Sequence, residues 1–497
     1  ILQAEQQMEG SDRWASAMPG SVLQGAAAVL ASLLILWLFR WYCSSSITAK
    51  GRLPPGSRGL PVLGETLQFF AGSPSLELHP FFKRRLERYG PIFRTNLIGV
   101  DLIVSLDAEL NNLVFQQDER LFENWWPESV MRIFGAESII PSMGSFHKHA
   151  KNLILRIFGP ENLRLVLLQD VQRTAQASLL SWLDLPSVEL KEATSSMIFS
   201  VTAKRLISYD SSSSDGKLWK QFDAFIRGLL AFPLYIPGTA FYQCMQGRKE
   251  VMKILRKLFD ERKKAPSRLE KVDFIDLLID TIKEDKLAMS DNFALNLIFL
   301  LLFAGFETTS SGITAAIKFL TDNPKALQEL TDEHENIRKR RASPDAEITW
   351  EEYKSMKFTS CVIHESLRMA NIAPLLFKKA REDVHIKAYT IPKGSKVMVC
   401  PSIVHLNPTI YEDPNVFNPW RWKEIAEPLG GASKDFMAFG GGLRLCVGAE
   451  FAKLQMAIFL HSLVTKYRWK AIKGGIMVLS PGLRFPDGFH IQLIHKS

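Results

Sequence analysis

A glycine-rich stretch that ends on one cysteine is the feature that most constrains how this chain can fold. It reads Phe439-Gly440-Gly441-Gly442-Leu443-Arg444-Leu445-Cys446-Val447-Gly448, and a helical pattern starts directly after it. Glycine permits positive φ and a close approach of the backbone to a flat ligand. The N–H groups and dipole of the next helix would stabilise a Cys446 thiolate, and Arg444 could pair with an acidic group of the ligand. The alternative is a plain buried cysteine in a glycine-rich turn.

The other four cysteines have no such setting. Cys43, Cys244, Cys361 and Cys400 are widely spaced, the total of five is odd, and no two cysteines have a C-x-x-C spacing. This is not a disulfide framework, and it favours a reducing compartment with room for one functional cysteine. We expect these four to be packing residues.

A polar interruption marks the middle of a long apolar helical pattern that runs from Ser290 to Leu320. It reads Ala304-Gly305-Phe306-Glu307-Thr308-Thr309. A glycine in a helix interior costs about 1 kcal/mol relative to alanine, and the acid and threonines add polar groups to a face expected to be buried. Such a cost indicates a functional role. The alternative is a partly solvated helix face.

Both stretches resemble motifs of the cytochrome P-450 family. The first matches the haem-binding pattern F-G-x-G-x-R-x-C-x-G at every fixed position, and the second is similar to A-G-x-[DE]-T-[TS]. The resemblance implies haem b with Cys446 as the axial ligand of its iron. It implies a haem-binding loop that includes Phe439, Gly440, Gly442, Arg444 and Gly448. It also implies that Gly305 leaves room above the iron, and that Thr308 and Glu307 deliver protons during oxygen activation.

A third motif resembles the family's structural triad. Glu365 and Arg368 are spaced as E-x-x-R on one predicted helix face, and Arg421 lies in a later stretch, Phe417-Asn418-Pro419-Trp420-Arg421-Trp422. The resemblance implies a buried network behind the haem, which losing one partner would severely damage. The alternative for Glu365 and Arg368 is a surface pair worth about 0.2–0.5 kcal/mol.

The chain departs from the family at the haem propionates. His147 and Lys151 stand where many members have W-x-x-x-R, and Lys378 stands where an arginine is common. Lysine can neutralise a propionate but cannot fork onto it. The resemblance therefore makes these three residues candidate haem contacts, and the alternative is that each is an ordinary surface residue.

The resemblance places the substrate pocket in segments far apart in sequence. The predicted pocket residues are Trp125, Phe303, Ala304, Gly305, Ala373, Leu376 and Phe485. They are almost all apolar and include no cation, so burial of apolar area, at about 25 cal/mol per Å², would drive binding. This favours a rigid apolar isoprenoid over an acidic substrate. The alternative is that these residues are simply core.

An apolar stretch near the start predicts a membrane anchor. Ser21–Phe39 would form a helix of about 28 Å, close to the thickness of a bilayer core. Basic residues follow it, which puts the rest of the chain in the cytosol; a cleaved signal peptide is the alternative. We therefore divide the chain into residues 1–20, a transmembrane anchor at 21–42, a basic, proline-rich linker at 43–64, and a haem-thiolate monooxygenase domain at 65–497.

The body of the chain predicts one large, mainly α domain with small β-sheets, the cytochrome P-450 fold. The expected elements are a strand pair within Leu97–Leu106, helices over most of Ala108–Leu330, a capping box at Thr349–Glu352, strands at Val384–Ile386 and Val397–Cys400, and a helix at Ala449–Tyr467. The net charge of +9 is not concentrated in one stripe and no nucleic-acid motif accompanies it. We therefore expect no nucleic-acid partner. The densest basic run, Arg338–Arg341, is either a solvated helix face or a docking patch for an acidic partner.

Together these features predict a single-pass protein of the endoplasmic reticulum membrane. The resemblance to plant members that act on sterols and triterpenoids implies hydroxylation of such a substrate with O₂. Electrons would come from NADPH through the membrane-bound FAD- and FMN-containing NADPH–cytochrome P-450 reductase. Three alternatives stay open: a sterol side-chain-cleaving monooxygenase, a haem-thiolate isomerase or dehydratase, and a non-catalytic sterol-binding protein.

Overall fold

The computed structural model describes residues 25, 28–33, 35–36, 51–210, 218–219, 221–222, 225, 233–265, 272–284, 289–341, 343, 346–423, 433–480 and 482–496. Most of the predicted anchor, the first part of the predicted linker and Cys43 lie outside these residues. The described residues between 25 and 36 are helical and exposed. Among the described helices, the one at Asp291–Asp322 has the length and composition to cross a membrane, but 67% of its most apolar window is buried inside the protein.

The described chain is mostly helical. The helices are α1 (Thr66–Phe69), α2 (Pro80–Tyr89), α3 (Ala108–Gln116), α4 (Glu128–Phe134), α5 (Gly144–Phe158), α6 (Leu168–Leu183), α7 (Leu190–Ile207), α8 (Ala240–Lys264), α9 (Phe274–Lys283), α10 (Asp291–Asp322), α11 (Pro324–Lys339), α12 (Trp350–Ser355), α13 (Lys357–Ala370), α14 (Ser402–His405) and α15 (Ala449–Lys466). A helical turn at Pro160–Asn162 and a π-helical stretch at Leu163–Leu167 lead into α6, and 3-10 turns lie at Pro419–Trp422 and Gly442–Arg444.

The strands form four small sheets. They are β1 (Ile92–Leu97), β2 (Val100–Ser105), β3 (Phe122–Asn124), β4 (Val188–Glu189), β5 (Leu376–Ala380), β6 (Val384–Ile386), β7 (Tyr389–Ile391), β8 (Lys396–Val399), β9 (Tyr467–Gly474), β10 (Val478–Ser480), β11 (Gly482–Arg484) and β12 (Phe489–His495). The largest sheet has the order β1-β2-β8-β5-β3, and only its β2–β8 pair is parallel. The others are β4-β12-β9, β10-β11 and β6-β7.

The predicted strand pair is real but shifted along the chain. Its two strands are β1 and β2, so only the second lies within the expected Leu97–Leu106. The turn between them consists of Ile98 and Gly99, both with positive φ (53° and 75°). A two-residue turn of this kind matches the twist of a hairpin, but isoleucine rarely adopts positive φ. The turn therefore carried no recognisable sequence signal.

The long helix α10 is the centre of the largest core. The hydroxyl of Ser290 caps it by accepting a hydrogen bond from the backbone N–H of Phe293 at 3.0 Å. Its apolar residues pack against α7, α13 and α15, in a cluster that holds most of the buried hydrophobic residues of the helices. The capping box of α12 is also confirmed, with Thr349 and Glu352 each accepting from the other's backbone N–H.

The segment just before the predicted domain boundary packs onto β1. Pro54 and Pro55 accept hydrogen bonds from the side chain and backbone N–H of Arg94, at 2.7 Å each, and Gly64 forms a bridge with Leu97. This stretch forms neither helix nor regular strand, as expected of a proline-rich segment. However, its carbonyls pair with β1, so from Pro54 onward it is part of the folded body.

Candidate active site

One cavity of about 330 Å³ brings the two main motifs together, within the usual size range of ligand pockets. α10 contributes one wall, the cysteine loop and α15 another, and the segment after α13 a third. The lining residues from the predicted sites are Ala304, Gly305, Thr308, Ala373, Leu376, Lys378, Phe439, Gly440, Arg444, Cys446 and Gly448. A larger cleft of about 620 Å³ opens between α6 and α7, but neither Cys446 nor Thr308 lines it.

The glycines of the loop are required by its packing against α3. Gly440 and Gly442 have positive φ (73° and 61°). A Cβ on Gly442 would lie 2.0 Å from the backbone oxygen of Phe115. The Cys446 N–H then donates to the carbonyl of Phe439 at 3.0 Å, which closes the loop. Gly442 thus shapes the loop without lining the cavity, and its neighbours hold the cysteine at the cavity wall.

Cys446 lines the cavity and is exposed there, although surrounding protein atoms still desolvate its thiol. Burial raises the pKa of this thiol, and the Gly448 N–H and the charge of Lys151 lower it. A metal cation bound at the sulfur would favour the thiolate further. Cys244, Cys361 and Cys400 are buried and do not line the cavity, and burial raises the pKa of Cys244 to about 12.

Two cations at the cavity edge share a buried acid. The Lys378 ammonium lies 2.7 Å from one carboxylate oxygen of Asp118, and Arg444 Nε lies 3.4 Å from the other. Arg444 also lies 3.3 Å from Glu119. Arg444 Nε and the second oxygen of Asp118 nevertheless have no hydrogen-bond partner. Of these two atoms only Arg444 Nε carries a hydrogen, so it is the donor that could serve a further carboxylate, such as a haem propionate.

His147 and Lys151 lie beside the loop rather than on the cavity wall. His147 is buried, and burial together with the charge of Arg444 lowers its pKa to about 4. It is therefore neutral at pH 7 and adds no cation. The Lys151 ammonium donates to the carbonyls of Leu443 and Leu445, at 3.3 Å each. Lys151 thus holds the backbone of the loop.

On α10, Thr308 faces the cavity and its hydroxyl donates to the Ala304 carbonyl at 2.8 Å. A Cβ on Gly305 would lie 3.1 Å from a methyl carbon of Thr202 on α7. Gly305 therefore lets α7 approach α10, and Thr202 reaches the cavity wall beside it.

Glu307 is directed away from the cavity lining. One of its oxygens lies 2.6 Å from the ammonium of Lys191 on α7, and the other is buried without a hydrogen-bond partner. The side chains of Glu307 and Lys191 are 21% and 26% exposed, so the pair has contact with solvent. Glu307 is therefore partly exposed to solvent and directly precedes a cavity-lining threonine in the chain.

The predicted triad forms one buried network. Glu365 and Arg368 are both completely buried and joined by two hydrogen bonds, at 2.8 and 2.9 Å. Arg421 Nε lies 3.2 Å from Glu365, and the indole N–H of Trp422 donates to the same carboxylate at 2.8 Å. Arg368 also donates to the backbone oxygens of His405 and Pro414. The network therefore ties α13 to the segment before the cysteine loop.

Of the seven predicted pocket residues, Ala304, Gly305, Ala373 and Leu376 line the cavity and three do not. Trp125 packs on Phe377 and lines a separate cavity of about 360 Å³. Phe303 is buried in an aromatic cluster, with its ring centre 5.0 Å from that of Phe225. Phe485 stacks on Phe489. Each of these three rings therefore packs on another aromatic ring and does not line the cavity.

The polar residues of the site that were missed from sequence include Asp118, Thr202 and Gln455. Gln455 lines the cavity on α15, is completely buried, and has no hydrogen-bond partner for either amide atom. A glutamine within an apolar helix was the available signal. Asp118 and Thr202 gave none, because their roles depend on partners far away in the chain.

The comparisons with known proteins agree with this geometry. A family model described as Cytochrome P450 matches residues 54–482. The chain is 53% identical to cytochrome P450 87A3 of Oryza sativa subsp. japonica, over 93% of this chain and 89% of that protein. It is 39% identical to cucurbitadienol 11-hydroxylase of Siraitia grosvenorii (96% and 99% covered) and 36% identical to steroid (22S)-hydroxylase of Oryza sativa subsp. indica (92% and 91%).

The fold has a counterpart among solved structures. Retinoic acid bound cyanobacterial CYP120A1 superposes with a TM-score of 0.79 at 27% identity, over 90% of this chain and all of that one. The arrangement of helices and small sheets is therefore the one expected from sequence.

Proposed function

The chain belongs to the cytochrome P450 family of haem-thiolate monooxygenases, and on that premise we propose that Cys446 is the axial haem ligand of an enzyme that hydroxylates a sterol or tetracyclic triterpenoid. The observation that carries this proposal is the shared cavity of Cys446 and Thr308. Arg444 and Lys378, at its edge, would hold the propionates of haem b. When bound, the haem supplies the activation of dioxygen and its insertion into the substrate.

The cavity walls support an apolar substrate. Away from Arg444 and Lys378 the lining is mostly hydrophobic, including Ile154, Phe158 and Leu301. Arg444 and Lys378 are the cations of this lining, and the propionates would occupy their remaining donors, which leaves no cation in the lining for an acidic substrate. The relatives named as cucurbitadienol, β-amyrin and steroid hydroxylases act on molecules of this class.

We further propose roles for the polar residues of α10. Thr308 holds a proton at its hydroxyl oxygen on the cavity wall, and Glu307, next to it and in contact with solvent, resupplies that proton. Lys191 pairs with the Glu307 carboxylate at 2.6 Å and orients it between proton transfers. The enzyme would be anchored in the endoplasmic reticulum membrane by residues 21–42 and receive electrons from NADPH through the flavoprotein reductase.

The proposed function is tested by expressing the chain with a plant reductase in cells that supply several sterol and triterpenoid scaffolds. Mass spectrometry should find a product one oxygen atom heavier than one of the scaffolds, dependent on NADPH and O₂. A shortened side chain would instead favour successive oxidations, and an NADPH-independent product of unchanged mass would favour an isomerase. Consumption of none of the scaffolds would contradict the substrate class.

Replacing Thr308 by alanine should uncouple the enzyme. Oxygen and NADPH are still consumed, but product per NADPH falls about tenfold or more, because the cavity loses the hydroxyl that delivers protons. The measurement is product and hydrogen peroxide per NADPH. Thr314→Ala is the matched control, since Thr314 makes the same 2.8 Å bond to the carbonyl four residues earlier but does not line the cavity. Equal coupling in both variants would rule out the role of Thr308.

Ala373→Phe should redirect oxidation. Ala373 lines the cavity and its side chain is open to it, so the added ring would displace the substrate at a cost of about 1–3 kcal/mol and reduce the wild-type product about tenfold. The spectrum of the resting haem should not change. Trp125→Phe, outside the cavity, is the control and should leave the product unchanged. The same product at the same rate from a folded Ala373→Phe enzyme would place the pocket elsewhere.

A further inference from the structure

His405 stands between the buried triad and the cysteine loop. Its backbone oxygen accepts a hydrogen bond from Arg368 at 2.6 Å, which joins it to the Glu365 network. On its other side, its ring nitrogen Nε2 accepts from the backbone N–H of Met437 at 2.9 Å. The residue lies at the end of α14, 32 positions before Met437 in the chain.

From Met437 the contacts continue to the cysteine. The Met437 carbonyl accepts from the N–H of Gly440, at 3.0 Å, and the Phe439 carbonyl accepts from the N–H of Cys446, also at 3.0 Å. The imidazole of His405 also packs on the ring of Phe436, with centres 5.6 Å apart. One histidine therefore holds the first turn of the loop through a hydrogen bond and a ring contact.

The hydrogen bond specifies the protonation state of the imidazole. Because Nε2 is the acceptor, the proton of the neutral ring must be on Nδ1. His405 is completely buried, and burial together with the charge of Arg368 lowers its pKa to about 3. The ring is therefore a neutral acceptor throughout the physiological range. Its Nδ1 is buried without a hydrogen-bond partner, which costs free energy of folding.

We propose that His405 is a positioning residue, which fixes the cysteine loop to the Glu365–Arg368–Arg421 network and so orients the Cys446 sulfur toward the haem iron. The inference rests on the proposed assignment of Cys446 as the ligand. Without this acceptor, the buried Met437 N–H loses its hydrogen bond to α14. The loop can then relax away from that helix. The sulfur then has freedom to leave the iron, even where the helices remain folded.

The test compares His405→Phe with His405→Gln in the full-length haem protein. Phenylalanine keeps a ring against Phe436 but removes the acceptor, whereas the amide oxygen of glutamine can accept from Met437. The readout is the band of the reduced carbon monoxide complex from which the family takes its name, which reports thiolate ligation. Protein that has lost thiolate ligation shows a band at shorter wavelength instead, so the ratio of the two bands measures ligation. We expect this ratio to fall about tenfold in His405→Phe, which corresponds to the loss of one buried hydrogen bond. We expect it to recover in His405→Gln.

His461→Phe is the matched control for a general loss of stability. His461 is another buried histidine, hydrogen-bonded to His334 at 3.0 Å, about 18 Å along α15 from Ala449. The His461→Phe variant should have a lower unfolding temperature and an unchanged band ratio. A wild-type ratio in His405→Phe would overturn the proposal, and so would a ratio in His405→Gln as low as in a folded His405→Phe.

If His405→Phe yields no folded protein, His405→Gln decides by itself. A thiolate band like that of the wild type supports the acceptor role, and loss of the band while the protein stays folded overturns it. Cys446→Ser separates this inference from the ligand assignment. If Cys446→Ser keeps the thiolate band, the ligand assignment fails; if it loses the band while His405→Phe keeps it, only the positioning role fails.

Discussion

Cys446→Ser is expected to abolish product formation and the thiolate band of the reduced carbon monoxide complex. Serine is close in size, so the loop, which Gly440, Gly442 and the Cys446 N–H hold in place, should keep its conformation. What is lost is the sulfur that opens into the cavity. The measurement is product per milligram of protein together with the reduced carbonyl spectrum. We expect product below detection, because the hydroxyl of serine does not replace a thiolate ligand.

Cys244→Ser and Cys361→Ser are the controls for this experiment. Both thiols are buried away from the cavity, and burial raises the pKa of Cys361 to about 11, so neither is a thiolate at pH 7. These variants should keep the thiolate band, with at most the modest loss of stability that burying a hydroxyl brings. A normal band in Cys446→Ser, or its loss in both controls, would contradict the ligand assignment.

The second large effect is expected from Glu365→Gln. The carboxylate of Glu365 receives hydrogen bonds from Arg368, Arg421 and Trp422 and is completely buried. Glutamine would leave the buried Arg368 guanidinium without its negative partner, at a cost of about 3–5 kcal/mol. A protein of ordinary stability has about 5–15 kcal/mol in total, so much of this one would fail to fold or to retain haem. Haem content per protein and the unfolding temperature measure the effect.

Glu329→Gln offers a closely matched control. Glu329 likewise accepts from a tryptophan indole and pairs with a cation: Trp420 Nε1 and Lys423 Nζ both lie 2.6 Å from its carboxylate. Its side chain is 38% exposed, so water can replace the lost charge and the cost should be about 0–1 kcal/mol. Equal losses of haem and stability in the two variants would show that burial of the triad is not what makes it essential.

Local sequence patterns determined much of this protein. The glycine-rich loop and the polar interruption of α10 identified the two motifs that meet in one cavity, and the capping box predicted where α12 begins. Such features are readable because their interactions span only a few residues. The Glu365–Arg368 pair belongs with them, since its partners are three residues apart on one helix.

Only the tertiary structure decided which side chains complete the site. Asp118 meets Lys378 across 260 positions and His405 meets Met437 across 32, and no local pattern announces either pair. Which aromatic residues line the pocket could not be predicted from sequence either. Phe303 and Thr308 both lie on α10, but only Thr308 lines the cavity. Apolar side chains gain from burial in a core or in a pocket alike, so the packing of neighbouring elements, not residue type, determines which of the two they occupy.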